Sequence, residues 1–359
     1  MDLHQTPEPV PQPLVTAQLA GPPAPAPQKR RMGLFPLFAI GFLLLALGAS
    51  VLLNIAFLVG AGVSDFEPRV RERHFSHNRS AANKVVIMAI EGVILDGEGF
   101  VRRQIEQARK DKSVKAIVLR IDSPGGSVSG SDLIYHRLAK LAEEREIPIV
   151  ASMGGLAASG GYYVAMAVGP RPETIYAEPT TWTGSIGVII PHYDATELMK
   201  KVGVAQDSIA SHRLKGMGSF TRPMTEEERK IFQGLVDEAF GRFKDVIKKG
   251  RPKFQQSPAA LDKLATGQAF TADQALESGL VDKIGYVEDA VEQAVKLSGL
   301  SSDEVHVVEY KREFSLTDIF LGSQSRGQGL DAAALLEMTV PRAYYLCTWL
   351  PPVFSGRSH

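Results

Sequence analysis

The chain has 359 residues and one cysteine, Cys347, so it contains no internal disulfide, no CxxC zinc ligand pair and no cysteine-held iron–sulfur cluster. Redox chemistry through paired thiols is excluded. Neither charge sign is in excess, with 40 Lys+Arg against 40 Asp+Glu, which leaves no electrostatic case for a nucleic-acid partner. The sequence also lacks an HExxH zinc motif, a Walker loop ending in GK[ST] and a GxGxxG dinucleotide loop, and its eight histidines are scattered. Neither a metal nor a cofactor is expected. A hydrophobic content of 44% is enough to fill a core, which rules out disorder of the whole chain.

Residues 1–31 form a tail with eight prolines before Gln28 and few large apolar side chains, a composition that cannot offset its ordering entropy. Lys29, Arg30 and Arg31 are followed by 32 residues, Met32 to Val63, without a charge. About 20 residues cross a bilayer core, so a span near Leu37 to Leu58 is long enough for an uncleaved anchor, with a cleaved signal as the rival. Basic residues flank both ends, and Lys29 to Arg31 favour a cytoplasmic N-terminus. Residues 64–83 read as a juxtamembrane linker.

From Lys84 the pattern changes. Val85–Ile90, Ala116–Ile121 and Ile149–Met153 are short β-branched runs expected as buried strands. Helical stretches at 102–110 and 129–144 separate them, the second with Leu133, Ile134, Leu138 and Leu141 at helical spacing. Such alternation predicts parallel strands joined by crossovers, the α/β class. Thr225 with Glu228 is a capping box for a helix over 226–249, and Thr271 with Gln274 opens a short helix closed by Gly279. Residues 322–330 read as a linker ahead of an apolar tail.

Two glycine-rich turns each follow a predicted strand. Asp122-Ser123-Pro124-Gly125-Gly126-Ser127 has paired glycines that let backbone N–H groups face outward, the construction of an oxyanion hole. Ala157-Ala158-Ser159-Gly160-Gly161 sets a serine among small residues at the start of a helix, as a nucleophile would be presented. Each turn taken alone also fits ordinary tight strand–helix packing. A serine nucleophile needs a base, and His136, His192, His212 or a desolvated lysine such as Lys215 could serve.

From Lys84 to Gly299 the chain resembles the short form of the signal peptide peptidase A family, membrane-anchored serine proteases of the S49 type. The matching stretches are Asp122 to Gly126, Met153 to Tyr163, Thr183 to Val188, the loop around Lys215 and Gly279 to Gly285. The resemblance implies a Clp-protease/crotonase-like fold for residues 84–300 and a Ser/Lys dyad with Ser159 as nucleophile and Lys215 as general base. It further implies Gly126 and Gly160 as oxyanion-hole residues, Ser185 as the residue that orients the lysine, and a homo-oligomeric ring whose dyad crosses subunits. Signal peptides and similar apolar segments would be the substrates, and the catalytic domain would lie on the extracytoplasmic side of the inner membrane. The chain departs from the family in Gly169-Pro170-Arg171-Pro172, in the Pro-rich tail and in the extension 301–359. Rival readings are a related protease cutting a membrane-protein stalk, an enoyl-hydratase-like enzyme, and a membrane ring scaffold without chemistry. The apolar segments Ala332–Leu336 and Tyr344–Leu350 could pack on their own domain, lie on the membrane or occupy a neighbour's substrate groove, and groove occupation is the expectation adopted.

Overall fold

The computed structural model describes residues 34–63, 69–313 and 343–346, with side chains of 34–37, 55–63 and 69 left undescribed. The Pro-rich tail, the linker at 322–330, Ala332–Leu336 and Cys347 lie outside the described residues. The chain divides into two compact units, Met1–Asp65 and Phe66–His359.

In the first unit, α1 (Leu34–Val63) is a single helix of 30 residues with no charged residue in its first or last turn. Among the described residues no helix is long and apolar enough to cross a membrane. The described side chains of α1 run from Phe38 to Asn54, and they are exposed.

The second unit opens with β1 (Arg69–His77), β2 (Asn83–Glu91), α2 (Gly99–Lys110), β3 (Val114–Ser123), β4 (Gly125–Ser127), α3 (Val128–Arg145) and β5 (Ile149–Ala158). It continues through α4 (Gly160–Ala165), β6 (Ile175–Ala177), β7 (Trp182–Gly184), α5 (Thr196–Lys201) and α6 (Glu226–Gly250). The last elements are α7 (Pro252–Gln256), α8 (Pro258–Leu264), β8 (Ala269–Thr271), α9 (Ala272–Ser278), β9 (Lys283–Ile284), α10 (Val287–Ser298), β10 (Val305–Glu313) and β11 (Tyr344–Leu346). The main sheet runs β1-β10-β2-β3-β5-β6-β9, with β7 beside the end of β5 and β8 beside β7. Its pairings are parallel except β1–β10 and β7–β8, so the molecule is a mixed α/β protein with a largely parallel sheet.

The three apolar runs become the central strands β2, β3 and β5 because both sheet faces are covered. Val86, Met88 and Ile90 point into one layer with Ile117, Leu119 and Ile121, against side chains of α3, α4 and α6 such as Leu138, Tyr162 and Phe243. Val85, Ile87, Ala116 and Val118 point the other way, onto Ala290, Val291, Ala294 and Val295 of α10. A strand buried on both faces loses its polar alternation and reads as a continuous apolar run. Both capping boxes form, Thr225 with Glu228 and Thr271 with Gln274, and Gly279 ends α9 in the left-handed conformation.

Three elements differ from the sequence expectation. β1 falls in the stretch read as a linker, and β10 falls in the extension, yet both belong to the main sheet. β1 is an edge strand whose Arg71 and Arg73 are exposed, and charge on an edge is how sheets resist further pairing, so its composition imitates a linker. β5 continues five residues past Met153 because Leu156 to Ala158 find partners in β7.

Candidate active site

β3 and β5 are neighbours, so the two glycine-rich turns that follow them emerge at the same end of the sheet. At the end of β3 the Ser123 hydroxyl donates to the Gly92 carbonyl (2.6 Å) and accepts from the Gly125 N–H (3.1 Å), which holds the turn in place. Gly125 has φ +96°, and a Cβ there would also stand 2.6 Å from the Gly160 nitrogen. Only glycine fits, for both reasons.

At the end of β5, Ser159 adopts φ 53° and ψ −112°, a conformation that costs a non-glycine residue roughly 1–3 kcal/mol and that clusters at functional sites. Its N–H donates to the Gly184 carbonyl (2.7 Å), which fixes the turn against β7. The residue is 1% exposed, and its hydroxyl has no hydrogen-bond partner among the described residues. Gly160 opens α4, where a Cβ would approach both the Gly125 Cα and the Gly126 nitrogen at 3.1 Å. The structure thus packs Gly125, Gly126 and Gly160 backbone to backbone directly beside the serine. Tyr162 and Tyr163 anchor the start of α4 from behind, donating to the Leu280 carbonyl (2.7 Å) and the Asp132 carboxylate (2.6 Å).

Ser185 is buried, follows the carbonyl that receives the Ser159 N–H, and sits at φ 49° with its own N–H on the Gln268 carbonyl (2.8 Å). Since Ala158 pairs with Gly184, Ser159 and Ser185 are the next residues on two adjacent parallel strands.

Lys215 is elsewhere. It lies in a single 3₁₀ turn, Arg213–Gly216, and is exposed; its N–H donates to the His212 carbonyl (2.9 Å), and its ammonium has no hydrogen bond or ion pair among the described residues. The cations around it are engaged: Arg213 pairs with Glu227, and Arg222 donates to the Gly216 carbonyl (2.9 Å) and to Glu228 (3.0 Å). The Arg222 guanidinium holds the Glu228 carboxyl down at about 2, against the opposing push of burial. Arg222 therefore ties the Lys215 turn to the capped start of α6. Of the histidines, His136 and His212 are exposed, and His192 rests near the Ser219 carbonyl at 3.3 Å. None of these three reaches the Ser159 hydroxyl. Among the described residues no group of three or more His, Cys, Asp or Glu side chains is placed to hold a metal ion.

The turns pointed to Ser159, Gly126 and Gly160. Sequence reasoning did not find the strand that lies against them. Tyr344–Leu346 pairs antiparallel with Gly125–Ser127, Tyr345 opposite Gly126. The indication was the apolar character of the tail, for which a neighbour's groove was the expectation adopted, whereas Tyr344–Leu346 pairs within its own chain.

A serine backed by small residues, with outward N–H groups beside it, is the constellation of acyl-transfer hydrolases. The model of peptidase family S49 matches residues 142–301. The Synechocystis protein slr0021, named as a protease, is 38% identical over 231 residues, 64% of this chain and 79% of that one. An Enterococcus faecium protein named as signal peptide peptidase SppA is 36% identical over 263 residues, 69% of this chain and 74% of its own length. Among solved structures, the 1510-N membrane-bound stomatin-specific protease in complex with a substrate peptide aligns over 68% of this chain and 99% of its own, with 18% identity and a TM-score of 0.42. The protein is a serine peptidase, a hydrolase. It belongs to peptidase family S49.

Proposed function

We propose that the chain is a membrane-anchored endopeptidase of Clp-protease/crotonase-like fold that cuts remnant signal peptides and similar apolar, unfolded segments with a Ser159/Lys215 dyad. The observation that carries this reading is the Ser159 hydroxyl: buried, strained into position at positive φ, without a hydrogen-bond partner among the described residues, and adjacent to the backbone of Gly126 and Gly160. In the reaction the Ser159 Oγ attacks the scissile carbonyl carbon and gives its proton to the neutral Lys215 Nζ. The N–H groups of Gly126 and Gly160 hold the oxyanion. Lys215 then passes the proton to the leaving amine; in the second half water, deprotonated by the same lysine, attacks the acyl carbon, and the lysine returns that proton to the Ser159 Oγ as the acid is released.

A solvated lysine ionises near 10.4 and is a poor base at neutral pH, so it must be desolvated. In one chain Lys215 is exposed, and a second subunit covering its turn would supply the burial. The arm that carries it exposes Ile189, Tyr193, Leu198, Val202, Val204, Ile209 and Phe220, more apolar surface than a segment facing only water carries. That supports a ring in which each Lys215 serves a neighbour's Ser159, with Ser185 orienting the ammonium. The uncharged sequence Met32 to Val63 supports an anchor ahead of the peptidase unit. The N-terminus would be cytoplasmic and the peptidase unit extracytoplasmic.

The test is a serine-directed fluorophosphonate probe on the detergent-solubilised chain, together with peptide hydrolysis by single variants. Label should appear on Ser159, and Ser159→Ala and Lys215→Ala should each lose nearly all activity, while His212→Ala keeps most of it. An inactive His212→Ala beside an active Lys215→Ala refutes the dyad.

A further inference from the structure

The turn that carries Lys215 is joined to α6 by two arginine–glutamate pairs of unequal depth. Arg213, on the turn itself, pairs with Glu227 (2.7 Å), and both side chains are exposed. Arg222, in the loop that follows, pairs with Glu228, whose side chain is 2% exposed. Among the described residues Glu228 is the only buried Asp or Glu, although its neighbours Glu226 and Glu227 in the same helical turn face water. A buried carboxylate persists only when its oxygens are satisfied.

Both oxygens of Glu228 are engaged. Arg222 Nη1 donates to Oε2 (3.0 Å) and Nη2 to Oε1, and the Thr225 N–H adds a bond to Oε2 (2.9 Å). The same guanidinium reaches further, Nη2 to the Gly216 carbonyl (2.9 Å) and Nη1 to the Pro223 carbonyl (3.2 Å). Gly216 follows Lys215 and closes its 3₁₀ turn. One planar fork therefore holds the helix start and the lysine turn together, which a point-charge ammonium cannot do. The bonds of the Lys215 N–H to the His212 carbonyl (2.9 Å) and of the Ser219 N–H to the Gly216 carbonyl (3.2 Å) are local, so they shape the turn without placing it. Arg213 and Arg222 place it on α6, and the Arg222 pair is the one shielded from water.

The charge of Arg222 matters as well as its reach. The charged and titratable groups around the turn are His212 and Arg213 on it, Arg222 beyond it, Glu227 and Glu228 on α6, and His192 across the arm with Asp194 behind it. Once a neighbouring subunit excludes water here, an uncovered carboxylate at Glu228 would favour the protonated lysine, the form that is no base. We propose that Arg222 is a positioning residue for the general base: through the Gly216 carbonyl it sets the Lys215 turn against α6, and by pairing with Glu228 it denies the lysine a counter-ion that would hold its proton. This rests on the assignment of Lys215 as the base.

The experiment uses the full chain in detergent and a fluorogenic peptide, with kcat and KM followed from about pH 6 to 10. Arg222→Gln should lower kcat about 10²-fold with KM within about twofold, since the lysine is misplaced and the peptide site is not. The acid limb of its kcat/KM profile should also move up by about one pH unit, a change that loss of packing alone does not cause. Arg222→Lys keeps the charge without the fork, so its limb should return to the parent pH while kcat stays about tenfold low. Arg213→Gln, at the exposed pair, should stay within about twofold of the parent. Subunit mixing separates positioning from misfolding. Arg222→Gln added to the Ser159→Ala chain, which lends only its lysine, should abolish the recovery seen on mixing with Lys215→Ala; added to the Lys215→Ala chain, which lends only its serine, it should leave that recovery within about twofold. An Arg222→Gln kcat within about threefold of the parent, an unmoved acid limb, or equal loss in the two mixtures overturns the proposal. If Lys215→Ala stays active, the base assignment fails, whereas an inactive Lys215→Ala beside a normal Arg222→Gln refutes only the positioning role.

Discussion

Gly160→Ala puts the proposed oxyanion hole under direct strain. The added methyl would stand 3.1 Å from both the Gly125 Cα and the Gly126 nitrogen, and it would press on the Ser131 hydroxyl. That hydroxyl can rotate away by surrendering its bond to the Ser127 carbonyl (2.9 Å), at about 1 kcal/mol. The two backbone atoms cannot rotate, so β4 must shift by a few tenths of an ångström, an overpacking cost of about 1–3 kcal/mol. A loss of about 2–4 kcal/mol lowers the melting temperature of a domain this size by about 5–15 °C. The shift separates the Gly126 and Gly160 N–H groups, and displacing one oxyanion donor lowers kcat by about 10²–10³-fold. Gly155→Ala is the control, since a Cβ there meets nothing within 4 Å, and it should change stability by no more than about 0.5 kcal/mol. Steady-state hydrolysis of a fluorogenic peptide and thermal melts measure both effects. If Gly160→Ala melts lower as expected but keeps kcat within about threefold of the parent, the contact is packing and not an oxyanion hole.

Mixing inactive Ser159→Ala with inactive Lys215→Ala should restore up to about a quarter of the parent rate, half times half by random pairing of subunits in a ring; no recovery after verified exchange would place the dyad within one chain. Arg251→Ala removes a nearly buried guanidinium that donates to the Gly279 carbonyl (2.8 Å) and pairs with Asp282 (2.8 Å), whose other oxygen takes the N–H groups of Thr174 and Ile175. Leaving Asp282 unpaired should cost about 3–5 kcal/mol in a thermal or urea melt, and a loss below about 1 kcal/mol would show that solvent replaces the arginine. The Glu228 carboxyl, held at about 2 against an ordinary 4.5, gives stability that is complete above pH 4.5 and lost as pH falls toward 2. Melts of the parent and Arg222→Gln should therefore differ most above pH 5 and converge by about pH 2; a gap that widens on acidification has the wrong sign.

Some of this molecule could be read residue by residue. The capping boxes at Thr225 and Thr271, the glycine stop at Gly279 and the apolar runs of β2, β3 and β5 are settled by interactions spanning a few positions, so they appear in the sequence as spacing. The serine turn belongs to this class as well, because a helix start crowded with small residues is itself a local pattern. β1 was not readable, since an edge strand is chosen by what lies beside it, and its Arg–Glu alternation serves solvent on one side.

By itself the sequence determined the α/β class, the serine among glycines and the uncharged stretch ahead of the peptidase unit. Tertiary structure alone decided that Gly126 and Gly160 meet, since that depends on β3 and β5 being neighbours across the 25 residues, 124–148, that separate them in the chain. It also decided that Lys215 stands exposed in one chain, and that Tyr345, far from Tyr163 and Phe243 in sequence, is buried between them. The physical reason is the same in each case. Hydrogen-bond and conformational preferences act over a turn or two of chain, whereas burial and the convergence of strand ends depend on the order of strands in the sheet, which no local interaction encodes.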